Sequence, residues 1–165
     1  MHHKSTNDLG TRRDRLMHEH IHDPYKTPHK LPEPTVCPSC GAVFRDGRWQ
    51  WNSAPKDAHR VCCQACHRIR DNYPAGLITL YGAYALAHQS ELFELARNCE
   101  AEEKSLHPLH RIMKMEAHGP SLVIQTTDIH LPHHIAEGIA HAHGGELNIQ
   151  YDKEGHFVRV DWRRD

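Results

Sequence analysis

A chain of 165 residues with 38% apolar residues and a mean hydropathy of -0.72 has room for one ordinary domain or two small ones, but not for a large core. No apolar run is long enough to cross a bilayer, and no apolar region follows Met1-His2-His3-Lys4, so a soluble cytoplasmic protein is expected, neither spanning a membrane nor exported. The net charge of -1 divides unevenly, with 12 Lys and Arg against 8 Asp and Glu over residues 1–82 and 8 against 13 over residues 83–165.

Residues 1–35 read as a flexible His-, Arg- and Pro-rich tail. They close with Asp23-Pro24, Thr27-Pro28, Leu31-Pro32 and Glu33-Pro34, each proline removing a backbone donor and pushing its predecessor towards an extended conformation. Residues 12–22 can form a short helix, but Leu16 and Ile21 offer too little apolar surface to hold it without a partner. Residues 36–82 form a cysteine module, with short strands at 42–44 and 48–51 around an Asp46-Gly47 turn and another at 77–81. A connecting helix follows over 83–105, where Leu92, Leu95, Ala96 and Cys99 make one apolar stripe and His107-Pro108 ends the run.

Residues 106–165 alternate in the manner of strands around one helix. A strand from Ile112 turns at His118-Gly119-Pro120 into a second strand through Leu122, Ile124 and Thr126. Asp128 or a near neighbour caps a helix with Pro132 in its first turn, a stripe of Ile135, Ile139 and Ala142, and Gly144-Gly145 as its stop. A hairpin over 146–151 and 156–162 completes the pattern, with Leu147, Ile149, Tyr151, Phe157 or Val158, and Val160 marking its inner face. The expected fold class is α+β: a small four-cysteine zinc ribbon, a helix, and a β-β-α-β-β module with one helix over an antiparallel sheet.

The chemistry is concentrated in the cysteines. Cys37-Pro38-Ser39-Cys40-Gly41 and Cys63-Gln64-Ala65-Cys66 are two C-x-x-C pairs separated by 22 residues. Thiolates at i and i+3 can point at one ion from a tight turn, and two such pairs give the closed tetrahedral shell of a structural zinc site. A thioredoxin-like redox pair needs one C-x-x-C in a β-α-β context, which this sequence does not offer, and ferredoxin spacing is lacking too, while rubredoxin-type iron takes the same four ligands. Cys62 competes with Cys63, being four residues from Cys66, but Cys63 matches the first pair and leaves Cys62 as a packed thiol. Cys99 falls on an apolar stripe and His67 lies beside the shell. A catalytic zinc keeps a coordination position open for water, and four cysteines leave none; no deaminase-type H-x-E arrangement occurs.

Eighteen histidines suggest further chemistry, and His134, Glu137 and His141 share a helix face. A second metal site is conceivable there, but a solvated polar face opposite Ile135 and Ile139 is the preferred reading, and no nucleophile, base and orienting group can be assembled into a catalytic set. Trp49 and Trp51 fall on the same face of one strand, either closing the small module or stacking on bases. With Arg45, Arg48, Arg60, Arg68 and Arg70 around the knuckles, they form the candidate nucleic-acid-binding set.

With segments 22–26, 31–36, 69–76 and 126–131, the two knuckles resemble those of a group of short proteobacterial zinc-ribbon proteins, over nearly the whole chain. More distantly, the arrangement is similar to the N-terminal region of the nonsense-mediated decay protein three family, an export adaptor of the large ribosomal subunit. There too a cysteine ribbon precedes an α+β segment whose helix leads to a hairpin; only Cys37, Cys40, Cys63 and Cys66 carry over, without that family's further cysteine pairs and later domains. The resemblance implies a non-enzymatic adaptor associated with RNA or the ribosome. The alternative is a protein-interaction or regulatory module on the same structural zinc, and an enzyme ranks last; no small-molecule substrate is indicated.

Overall fold

The structure, a computed structural model, describes residues 25, 26 and 29–165. Most of the expected tail, including the helix expected over 12–22, lies outside the described residues.

Four very short strands build the first sheet: β1 (Thr35–Val36), β2 (Val43–Arg45), β3 (Arg48–Gln50) and β4 (His59–Arg60), in the order β3-β2-β1-β4. β2 and β3 turn at Asp46 and Gly47, both at positive φ (54° and 76°), a turn whose twist matches that of a two-stranded ribbon. Phe44 and Trp49 sit opposite each other across this hairpin, their rings edge to face at 5.5 Å. The strand expected to reach Trp51 stops at Gln50. Helix α1 (Gln64–Asp71) follows, its end marked by Asn72 at φ 51°.

The remaining elements form one sheet with helices. They are β5 (Gly76–Tyr81), α2 (Ala83–Ala87), α3 (Gln89–Leu106), β6 (Ile112–His118), β7 (Ser121–Thr126), α4 (Leu131–His143), β8 (Glu146–Tyr151) and β9 (Val158–Arg163). The strand order is β6-β7-β5-β9-β8, with β5 antiparallel to β7 and parallel to β9. β5 is therefore the central strand of the second sheet, although its sequence position groups it with the cysteine module. A division at residue 82 cuts through this sheet instead of beside it. Gly76, Ile78 and Leu80 of β5 are buried, and Leu77 and Thr79 on its other face are half-buried, in keeping with its near-continuous apolar run.

Ile78, Leu80, Leu122, Ile124, Val158, Val160 and Trp162 line the inner face of the sheet. Leu92, Phe93, Ala96 and Cys99 of α3, with Leu131, Ile135, Ala136 and Ile139 of α4, complete this core. Two expected positions differ. Ala142 is exposed in the last turn of α4, and Ala136, next to Ile135, takes the buried place. Tyr151 is exposed at the end of the edge strand β8. Asp128 receives the amide N–H groups of His130 and Leu131 at 2.8 and 3.0 Å, so α4 begins on a side-chain cap as expected. No helix among the described residues is long and apolar enough to cross a membrane.

Candidate metal centre

The first knuckle is a tight turn between β1 and β2. The Cys37 amide N–H donates to the Ala42 carbonyl at 2.8 Å, and the Gly41 N–H to the Cys37 carbonyl at 2.9 Å. Gly41 has φ 82°, a left-handed conformation that residues with a Cβ adopt reluctantly. The second knuckle is the start of α1, where Cys63 is the cap residue and its sulfur accepts the Cys66 N–H at 3.4 Å. A helix start thus turns both sulfurs of the second pair towards the first turn.

The ligand atoms of Cys37, Cys40, Cys63 and Cys66 all lie within 4.8 Å of one another. Four sulfurs held at about 2.3 Å by a tetrahedral ion stand roughly 3.8 Å apart, and the Cys40–Cys63 sulfur separation is 3.9 Å. The residues present therefore fit one metal ion held by four thiolates. Cys37 and Cys63 are buried, and all six cysteines are free thiols. Burial pushes the Cys63 and Cys66 thiols up. Cys37 moves the other way despite its burial, because the amides of Cys63, Cys40 and Ser39 stabilise its charged form. The Cys63 N–H donates to its sulfur at 3.3 Å.

Cys62 stands outside this group. Its sulfur lies 3.7 Å from the Cys63 carbonyl oxygen, and burial raises its thiol above the ordinary value. It lines a cleft of about 450 Å³ beside the shell, with Tyr25, Trp49, Val61, His67 and Asp71 among the walls.

The expected arginine edge is dispersed. Arg45 and Arg48 pair across the β2–β3 hairpin, whereas Arg60 lies on β4 at the opposite edge of the small sheet. Arg68 is buried: one guanidinium nitrogen donates to the Tyr73 carbonyl at 3.2 Å, and the guanidinium lies 4.5 Å from the centre of the Tyr25 ring. It is no part of an open cationic surface. Arg70 is exposed beside Asp71. Trp49 is half-buried against Phe44, while Trp51 is 39% exposed and donates its indole N–H to the Lys104 carbonyl at 2.7 Å, linking the ribbon to α3.

One residue bonded to the sulfur shell has no signal in the sequence. Arg111, only 8% exposed, reaches from the segment before β6 to donate to Cys66 and Cys63 at 3.3 and 3.6 Å. Burial works against its charge, but the neighbouring sulfurs outweigh that and hold it firmly protonated. Its distance of 45 residues from Cys66 hides the pairing from any local pattern.

A second polar cluster joins α3, α4 and the loop before β6. His110 Nδ1 and His134 Nδ1 lie 3.0 and 2.9 Å from the Glu103 carboxylate, and Asp128 is 3.5 Å from His110. Of the His134–Glu137–His141 face suggested by helical spacing, only His134 joins this cluster, and Glu137 instead meets His133 at 3.3 Å.

No family model, no curated protein and no solved structure matches this chain. Its function is therefore read from the site itself.

Proposed function

We propose that the chain is a non-enzymatic adaptor in which one structural zinc staples the ribbon, and that the ribbon binds RNA or a ribonucleoprotein such as the ribosome. The observation carrying the zinc reading is the shell of four converging sulfurs, closed by cysteines alone and backed by a buried arginine. Such a donor set suits a structural ion, since every coordination position is filled. Six cysteines without a disulfide among them also suit a reducing, cytoplasmic setting.

The RNA reading is supported by charge: residues 29–75 carry seven Lys and Arg against four Asp and Glu. Arg48, Arg60 and Arg70 are exposed, and phosphate contact from such groups weakens as salt rises. Trp51 offers a partly open ring. Resemblance to the ribosomal export adaptor points the same way. Cosedimentation with ribosomes and filter binding to RNA across a salt series test this reading. Binding that falls with salt supports it, and no association even at low salt overturns it.

A protein-binding reading draws on the other half of the molecule. Tyr81 and Tyr151 are exposed on the larger sheet, within the half of the chain that carries 8 Lys and Arg against 13 Asp and Glu. Salt-independent capture of a protein without RNA would favour it. The enzyme reading has the Glu103–His110–His134 cluster as its best material, but both carboxylate oxygens are engaged by imidazoles and none of the three lines the cleft beside the ribbon.

A further inference from the structure

Arg111 belongs by sequence to the large sheet and by contact to the ribbon. Its Nε donates to the Pro108 carbonyl at 2.7 Å, and its backbone N–H donates to Thr127 Oγ1 at 3.0 Å. The Thr127 hydroxyl in turn donates to the Leu109 carbonyl at 2.6 Å, and Leu109 packs against the buried cluster of Cys37, Cys63 and Ala65. The next residue, Ile112, donates its N–H to the Glu100 carboxylate of α3. The guanidinium is thus fixed from its own side of the molecule, with both terminal nitrogens on cysteine sulfurs of the other side.

We propose that Arg111 is a clasp that makes docking of the ribbon onto the five-stranded sheet depend on the metal. The proposal rests on the zinc reading above. Four thiolates around a divalent ion carry a formal charge of about -2, and a buried guanidinium is a fitting counter-charge for them. Without the ion nothing fixes the four sulfurs at one point, so Cys63 and Cys66 no longer stand together under the fork of the guanidinium. The guanidinium cannot shed its own proton, so its charge is left buried without its placed partners. A buried charge without a partner is strongly destabilising, and the segment carrying it opens. Opening at Arg111 loosens its bond to Thr127, the residue beside the Asp128 cap of α4. Metal occupancy in the ribbon is thereby felt at the start of β6 and at the head of α4. The fork shape matters, because it reaches two sulfurs at once where a lysine ammonium is a single point charge.

The test uses the full chain loaded with zinc and an excess of a chelating dye that reports zinc release. Arg111→Met should release zinc about 10- to 100-fold faster than the unaltered chain, the range usual for loss of a group bonded to metal ligands. Arg111→Lys should fall between the two. Arg164→Met, which removes a cation held over the Tyr84 ring, should release zinc at the unaltered rate. Hydrogen exchange on the unaltered chain gives a second readout that needs no variant. Chelation should expose the amides of Arg111 and Thr127 while those of β5 and β9 stay protected. Unchanged release from a folded Arg111→Met chain, or protected Arg111 and Thr127 amides after chelation, would overturn the clasp and leave the zinc reading standing. A chain that binds no zinc at all would overturn both.

Discussion

The ribbon, from β1 to the end of α1, buries no apolar side chain larger than Val43, the others being Cys37, Ala42, Cys63 and Ala65, whereas the sheet and helices from β5 onward enclose a cluster of sixteen. Cys37 and Cys63 among these are members of the sulfur shell. Fixing each backbone residue costs about 1–2 kcal/mol, and so few buried side chains cannot offset that over a segment of this length. A structural zinc contributes roughly 10–16 kcal/mol, which can. The larger unit needs no such help, with its apolar strands covered by α3 and α4. One chain therefore combines a part held by burial with a part whose four converging sulfurs suit it to be held by coordination, joined by Arg111 and the Trp51–Lys104 bond.

The change that should separate the two parts most sharply is loss of a shell cysteine. Cys37→Ser should abolish metal binding and leave the ribbon amides open to rapid hydrogen exchange, while β5, β7 and β9 remain protected. Collapse of the whole chain would show that the larger unit also depends on the ion. The converse change is Ile135→Ala, which empties a fully buried site under α4. It should cost about 2–5 kcal/mol in denaturant unfolding of the sheet, with metal content unchanged.

A smaller effect is expected at Gly76, where β5 meets the head of α4. A Cβ there would run into Thr126 Oγ1, Pro132 Cγ and the Asp128 carbonyl oxygen, the last at 2.9 Å. Gly76→Ala should cost about 1–3 kcal/mol, measured by the shift in thermal midpoint, again without loss of metal. The smallest effect is electrostatic. Burial would raise the Glu103 carboxyl, but hydrogen bonds from His110 and His134 outweigh it and hold it below the ordinary value. Its contribution is therefore present above the ordinary glutamate range and is lost as pH falls through the lowered one. Asp128, raised chiefly by burial, has the opposite sense, its contribution being lost as pH rises through its raised value. Glu103→Gln should flatten the acid limb of a stability–pH profile; an unchanged limb would show that the cluster contributes nothing to folding.

What could be read in advance follows the range of the forces involved. The two C-x-x-C pairs, the Asp46-Gly47 turn, the Asp128 cap and the strand alternation of the last sixty residues are local patterns, and each has its counterpart in the structure. The partners of β5 were not legible, because a six-residue apolar strand pairs equally well in sequence terms with near or distant strands. Arg68 reads as a surface cation until Tyr25 and Tyr73 are brought over it. Arg111 is the extreme case, an ordinary residue in a histidine-rich stretch whose role exists only after α1 and β6 meet.

The central claim, that one ion on Cys37, Cys40, Cys63 and Cys66 holds the ribbon, is tested most directly by native mass spectrometry of the purified full chain beside its Cys62→Ser and Cys63→Ser forms. One zinc per chain, retained without Cys62 and lost without Cys63, is the predicted result. A chain without metal, or zinc that survives Cys63→Ser and departs with Cys62→Ser, would contradict it.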